Sequence, residues 1–289
     1  LYANTLGFLG QYNTTSYSLS AIPVASQNGA MQRDYWHSSH RKFHCLESAA
    51  AIGKKAAERT LRRLGARQVK TQTAPVVFDP DMAASLLRHL AAAVTGSSLY
   101  RKTSFLLDKV GEKIAAPGVW IDDDARIPSA LGSKPFDGEG LPTRRTPVVE
   151  DGVLTNYLLD TYSARKLGLR STGSAARSFA DAPAASPTNL FLKAGSTPPE
   201  EIIRSVRSGL YVTELSGFGV NPVTGDYSRG AVGLWIENGE LAYPVEEITI
   251  AGNLLEMLKN IEAIGNDLEL RGTIAAPTVK IARMTIAGE

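Results

Sequence analysis

His37-x-x-His40-x-x-x-His44-Cys45 is the one cluster in this chain whose residue types suit a transition metal. Imidazole and thiolate are both zinc ligands, and on a helix His37, His40 and His44 would share one face. The segment follows a strand-like stretch, however, and Trp36 and Phe43 interrupt its polar pattern. Exposed histidines on a loop and helix start are the plainer reading. Cys45 is the only cysteine, which excludes an intrachain disulfide and fits a reducing compartment. A lone cysteine reads first as a small buried hydrophobe. His89 falls near the edge of an apolar helical face, as a packed histidine would. No histidine is followed by glutamate, so the H-E-x-x-H zinc helix is excluded. The G-x-x-x-x-G-K-[ST] phosphate loop and the G-x-S-x-G nucleophile elbow are also absent.

Other side chains offer weaker chemistry. Asp122, Asp123, Asp124, Asp137 and Glu139 are oxygen donors for a hard cation, but they lack the EF-hand spacing and read as a turn-rich solvated region. Lys54, Lys55, Arg59, Arg62, Arg63, Arg67 and Lys70 face a single acid, Glu58. Such a run suits nucleic acid electrostatically, yet no aromatic residues are interleaved for base stacking. The solvated face of a helix explains it as well. The densest unusual segment runs from Gly217 to Gly230. Its glycines allow close backbone approach, and Asn221, Asp226, Tyr227 and Ser228 carry groups that hydrogen-bond a peptide-like ligand. It suits either a tight connection or the lining of a binding cavity.

The elements that must position these residues follow from periodicity. Leu6–Tyr12 and the alternating Tyr17–Ile22 read as strands. Asn28-Gly29 reads as a hairpin turn, with Met31–Trp36 as the returning strand. Leu46, Ala50, Gly53, Ala57, Leu61 and Leu64 make one helical apolar face, with Lys55, Arg59, Arg62 and Arg63 away from it and Gly65 ending the helix. Val76-Val77-Phe78 is a buried strand. Met82, Leu86, Leu90 and Val94 mark a second helix. Thr197-Pro198-Pro199-Glu200 reads as a capping box, and Asn238-Gly239 as the turn of a long hairpin. Leu254, Leu258 and Ile261 mark a last helix, and Val279–Ile286 the last strand. Helices interspersed with hairpins favour an α+β fold, with a mainly antiparallel, strongly curved sheet and several packed helices. The chain has 289 residues, 43% of them hydrophobic and 21% charged, which excludes wholesale disorder. A net charge of +2 points to neither nucleic acid nor an anionic membrane, and no apolar run spans a bilayer.

Gly219-Val220-Asn221, Thr224-Gly225-Asp226-Tyr227-Ser228, Ile236–Glu240, Pro244–Glu247 and Thr249–Asn253 together resemble the C-terminal signature of the PmbA/TldD family. Ile264–Leu268, Phe136–Gly140, Ser171-Thr172-Gly173 and Pro187–Leu190 are similar to further blocks. The resemblance covers nearly the whole chain. It implies that residues 1–72 end the family's middle domain and 73–289 form its C-terminal domain, with the N-terminal domain lying before Leu1. It also implies a two-protein peptidase of the cytoplasm, in which a TldD-type subunit binds zinc through an H-E-x-x-x-H helix and a downstream cysteine. Here the corresponding helix is Leu86–Val94. His89 stands alone there, with Leu90 and Val94 at the positions of the glutamate and second histidine. The chain therefore resembles the metal-free PmbA (TldE) subunit. The expectation is no metal and no catalytic residue in this chain, a zinc-binding partner and unfolded peptide as substrate. Asn221, Asp226, Tyr227 and Ser228 are the expected peptide or partner contacts, and the family's architecture also allows a homodimer. The family bears the name of a DNA gyrase modulator, but nothing in these residues shows DNA contact. Two alternatives remain: an autonomous metalloenzyme using His37, His40, His44 and Cys45, and a nucleic-acid or gyrase-associated module using the Lys54–Lys70 face.

Overall fold

The computed structural model describes residues 1–289. Of the apolar stretch at Leu6–Tyr12 only Leu9–Gly10 (β2) is extended, paired with Tyr2–Ala3 (β1). Asn28 and Gly29, with φ of 52° and 84°, turn Val24–Gln27 (β4) into Ala30–Arg33 (β5). The strand Tyr17–Ala21 (β3) pairs instead with Trp36–His40 (β6). The single returning strand expected over Met31–Trp36 is thus split. Asp34 and Tyr35 break it because Asp34 is buried, donates its N–H to the Thr60 hydroxyl and accepts the Tyr35 N–H on its carboxylate.

A 3-10 turn at Phe43–Cys45 leads into α1 (Ala49–Leu61), capped by the Ser48 hydroxyl, which accepts from Ala51 N–H at 3.2 Å. The buried face of this helix is not the expected apolar one. Ile52, Ala56 and Thr60 point inward, followed by Arg63, while Ala50 and Leu61 are exposed. The cause is charge pairing. Arg59 lies between the buried carboxylates of Asp34 (3.3 Å) and Asp79 (3.2 Å), and Arg63 reaches Glu214 at 2.6 Å.

The main sheet is six-stranded and closes on itself. Its order is Glu240–Asn253 (β16), Asp226–Glu237 (β15), Ser208–Ser216 (β14), Gln72–Phe78 (β7), Val279–Ala287 (β19) and Ile261–Ile264 (β17), with an added β16–β19 pairing. Only the β14–β7 pair is parallel. Register shifts in four of these pairings bend the strands enough to close the sheet. A second sheet has the order β10 (Val153–Leu154), β9 (Arg145–Glu150), β8 (Ile121–Asp124), β13 (Leu190–Leu192) and β18 (Ile274–Ala275). The remaining pair is β11 (Ala175–Ala176) with β12 (Ala184–Ala185). The fold is α+β and mainly antiparallel, as the periodicity indicates.

Helix α2 (Pro80–Ala93) lies between the sheets, packing on β7 and β14 of one and on β13 and β18 of the other. Asp79 caps it, accepting from Met82 N–H at 3.0 Å, and Pro80 occupies the first turn. Leu86, Leu87 and Leu90 are buried, each contributing about 1.5–3 kcal/mol through removal from water. Short helices follow: α3 (Gly96–Tyr100), α4 (Thr161–Leu167), α5 (Pro199–Arg204) and α6 (Leu254–Lys259). Pro198, not Thr197, caps α5, and no side chain completes a capping box. Thr197 is held away in a bridge beside Gly265, where its carbonyl accepts from Asn266 N–H. Ile261 belongs to β17 rather than to α6, which ends before Asn260. No helix is long and apolar enough to cross a membrane.

Candidate functional site

Residues of α2 spaced three and four apart form one wall of an open groove. Ser85, Arg88, His89 and Ala92 look out from the face opposite the buried leucines. The other wall is Leu215 at the end of β14 and the connection to β15, Gly217, Phe218, Val220 and Pro222, with Arg229 on β15 itself. Phe105 and Leu254 close the ends of a space of about 500 Å³.

The loop is tied down by backbone bonds. Ser228 N–H donates to Gly219 O at 2.6 Å, Asn221 N–H to Asp226 O at 2.9 Å, and Phe105 N–H to Pro222 O at 2.9 Å. Gly219 is required at its position, because a Cβ there would collide with the Ser228 carbonyl oxygen. Asn221 and Asp226 support this loop. Asn221 Oδ1 accepts from Val223 N–H at 2.9 Å, and the Asp226 carboxylate accepts from Thr224 Oγ1 at 2.6 Å and Asn253 Nδ2 at 3.3 Å. Those two bonds, Thr224 first, hold the exposed Asp226 carboxyl below its ordinary value. The Ser228 side chain is exposed, and Tyr227 is buried. None of these four expected contact residues lines the groove, although five of their neighbours do.

The groove is cationic. Arg229 spends Nε on Ser216 O (3.2 Å) and Nη1 on Ser85 Oγ (3.4 Å). His89 stands beside it with its ring edge-on to Tyr227, centroids 6.1 Å apart. His89 Nε2 and the Tyr227 hydroxyl are both buried without a hydrogen-bond partner. Burial, then the charges of Arg229 and Arg88, pushes the His89 imidazole below its ordinary value, so it is neutral near pH 7. Burial pushes the Tyr227 phenol far up, so it stays protonated.

This donor set does not fit zinc. One imidazole faces two guanidinium groups with no carboxylate or thiolate beside it, whereas zinc sites need three or four anionic or neutral donors. Nor do His37, His40, His44 and Cys45 converge. His37 and His40 lie three apart on β6, so their side chains leave opposite faces of the strand. His37 stacks on Tyr35, and His40 Nδ1 accepts from Lys42 N–H at 2.9 Å. Cys45 is exposed rather than buried, and no group of three potential ligands comes together anywhere.

The acids and the basic run are mostly engaged. Asp122 pairs with Arg145 (3.0 Å) and Lys193 (3.2 Å). Asp123 accepts from Thr188 N–H and Oγ1, and burial lifts its carboxyl to about 6. Asp137 accepts three backbone N–H groups, and Glu139 holds the start of α4 through Thr161. In the basic run Lys54 pairs with Glu58, Lys55 with Glu47, Arg59 with two aspartates and Arg63 with Glu214, while Arg67 stacks on Tyr243 at 3.6 Å. A second cavity, of about 330 Å³, sits where residues 35–37 and Arg59 meet Asp79, Asp81, Glu269 and Arg271. Its lining carries both signs of charge, and Met82 and Arg88 of α2 line it as well as the groove. Arg271, stacked over Trp36 at 4.0 Å, also reaches Glu269.

Comparisons with known proteins agree with this architecture. Residues 71–288 match the family model described as the PmbA/TldA metallopeptidase C-terminal domain, and residues 1–64 match that of the central domain. The chain is 43% identical over 289 residues to "Metalloprotease PmbA" of Escherichia coli O157:H7, all of this chain against 62% of that protein. Among solved structures, one from Bacteroides thetaiotaomicron described as a modulator of DNA gyrase superposes with a TM-score of 0.90 at 34% identity, over 99% of this chain and 63% of that one. TldE from Thermococcus kodakarensis superposes with a TM-score of 0.86 at 26% identity, over 94% of this chain and 63% of that one. The chain thus spans under two thirds of the length of each of these relatives.

Proposed function

This chain belongs to the PmbA/TldD metallopeptidase family, and on that premise we propose that it is a TldE-like subunit that does not itself catalyse. Its role is to hold unfolded peptide beside the zinc of a TldD-type partner. Residues 1–72 serve as the end of the family's middle domain and residues 73–289 as its C-terminal domain. The assembly works in the cytoplasm.

One observation carries this reading. The groove beside α2 is open and peptide-sized, yet at its one histidine the metal-binding and proton-transfer groups are lacking. His89 has Arg88 and Arg229 for company, and Leu90 and Val94 stand where a carboxylate base and a second imidazole would be needed. No step of peptide hydrolysis runs through this chain's own residues. What they do is bind and exclude water: Phe105, Leu215 and Phe218 offer apolar walls, and the arginines offer fixed charge. Zinc in the partner supplies the Lewis acid and the activated water. The exposed Asn221, Asp226 and Ser228 are assigned to contact with the partner or with the peptide's backbone.

The test is cleavage of an unstructured peptide by this chain alone, by a TldD-type subunit alone, and by the mixture. Activity confined to the mixture and abolished by a chelator is the expected result. Cleavage by this chain alone, or a mixture no faster than the TldD-type subunit by itself, overturns it.

A further inference from the structure

We propose that the groove between α2 and the 217–222 loop is a carboxylate-binding subsite, in which Arg88 and Arg229 hold a carboxylate of a peptide whose apolar side chains rest on Phe218, Phe105 and Leu215. The inference rests on the peptide-holding role proposed above and names the chemistry it selects.

The lining is one-sided in charge. It contains two arginines, the neutral His89 and no aspartate or glutamate. By contrast, two arginines of the second cavity are paired with carboxylates, Arg59 with Asp34 and Asp79 and Arg271 with Glu269. Arg88 is exposed and enters none of the chain's ion pairs. Arg229 is half-buried and aligned by Ser216 and Ser85, two neutral acceptors that leave its charge uncompensated and Nη2 free. A guanidinium whose stem is fixed and whose Nη2 keeps its donors free is preorganised to bind a carboxylate by a charge-assisted hydrogen bond. The buried, unpartnered Nε2 of His89 lies in the same wall and leaves a further polar group for a ligand to satisfy.

The rest of the surface favours a peptide over a phosphate ligand. Phe218 is fully exposed at the rim, and Met82, Phe105, Leu215, Val220 and Leu254 make the walls apolar. A phosphate site would draw on a cluster of backbone N–H groups or a helix N-terminus. The first turn of α2, by contrast, is capped by Asp79 and lies away from Arg88 and His89. Apolar walls around a fixed positive charge suit a leucine- or phenylalanine-containing segment that carries a carboxylate at its C-terminus or on a nearby acidic side chain.

The probe is a dye-labelled, unstructured peptide rich in Leu and Phe, titrated against the chain by fluorescence anisotropy. Three forms are compared: free C-terminal acid, C-terminal amide, and amide with one internal Glu. The amide is expected to bind about ten-fold more weakly than the acid, equivalent to about 1.4 kcal/mol. Arg88→Gln and Arg229→Gln, with native circular dichroism, should bring the acid down to the amide's level, while Arg88→Lys keeps part of the affinity. Recovery by the internal Glu places the carboxylate on a side chain, and no recovery places it at the terminus; both support the subsite. Equal binding of acid and amide overturns this inference and leaves the peptide-holding role standing, as does displacement by phosphate at lower concentration than by acetate. Carboxylate-dependent binding without any stimulation of a TldD-type partner overturns the proposed function and leaves the subsite. No binding of any form overturns both.

Discussion

Tyr227→Phe should make the protein more stable. Tyr227 is 1% exposed, and its hydroxyl has no hydrogen-bond partner. A buried hydroxyl in that state costs about 1–3 kcal/mol relative to its hydrated form. Phenylalanine keeps the ring, its burial and the edge-on contact with His89, and removes only the unsatisfied oxygen. The expected gain is therefore about 1 kcal/mol or more. Tyr227→Ala deletes the ring and leaves a cavity, at a cost of about 3–5 kcal/mol. Urea denaturation followed by intrinsic fluorescence separates these effects, with the Phe variant's midpoint rising at unchanged slope. A Phe variant less stable than the parent by about 1 kcal/mol would mean that the hydroxyl has a partner, such as an ordered water, and the reasoning would fail. A gain would mark Tyr227 as retained for something other than packing, which a binding groove next to it supplies.

Other perturbations test the remaining arguments. The Asp123 carboxyl titrates at about 6 in the fold against roughly 3.9 when unfolded, so its stabilising contribution is complete below pH ~4 and is lost as pH rises through about 6. The stability of Asp123→Asn relative to the parent should thus rise between pH 4 and pH 7, by up to about 3 kcal/mol, in denaturant titrations across that range; a constant difference would contradict it. Arg59→Ala strips the counter-charge from buried Asp34 and Asp79 and should cost about 3–5 kcal/mol, less at pH 5 than at pH 8, by thermal melts at the two pH values. Gly219→Ala should cost about 1–3 kcal/mol by pushing the loop off Ser228, and should weaken peptide binding in the anisotropy titration. After equilibration with zinc and desalting, the isolated chain should retain no stoichiometric metal by elemental analysis. One zinc per chain, lost in His37→Ala, would restore the autonomous metalloenzyme.

Much of the fold was legible because local periodicity agrees with tertiary burial. The α2 apolar face, the Asn28-Gly29 and Asn238-Gly239 hairpins and the long last strand all follow from spacing and turn chemistry alone. Helix α1 was misread because its inward side includes Thr60, held by the backbone of Asp34 and Ala56, and Arg59 and Arg63, which pair with carboxylates away in sequence. The metal alternative for the histidine cluster assumed a helix: three-residue spacing joins side chains on a helix but separates them on a strand, and His37 and His40 lie on β6. The candidate site was half visible. The Gly217–Gly230 segment stood out by composition, but its polar side chains brace the loop while Gly217, Phe218, Val220, Pro222 and Arg229 meet the cavity. Arg88 and Ser85 carried no motif, since only the docking of α2 against β14 and β15 brings them to Arg229. The alternation along β15, with Tyr227 inward and Arg229 two residues on, was the one sequence signal that ties the strand to the groove.

The buried ion pairs also bear on how the groove is held. Asp79 does two things at once: its carboxylate caps α2 at Met82, and it receives Arg59 from α1. Tyr35, next to β6, reaches Asp81 in the first turn of the same helix. Residues 1–64 therefore grip α2 at its N-terminus, one to three turns upstream of Ser85, Arg88 and His89. The two sheets hold the buried side of α2, and Arg59 and Tyr35 hold its N-terminal end. Burial lifts the Asp79 carboxyl to about 6 against the pull of Arg59, so acidification weakens the grip by neutralising the carboxylate. Arg59→Met should then do more than lower stability. It should loosen the alignment of Arg88 with Arg229 and reduce the discrimination between acid and amide peptides, measured at a denaturant-free temperature where the variant is folded. If Arg59→Met discriminates as well as the parent, α2 is positioned by the sheets alone and the N-terminal segment plays no part in shaping the groove.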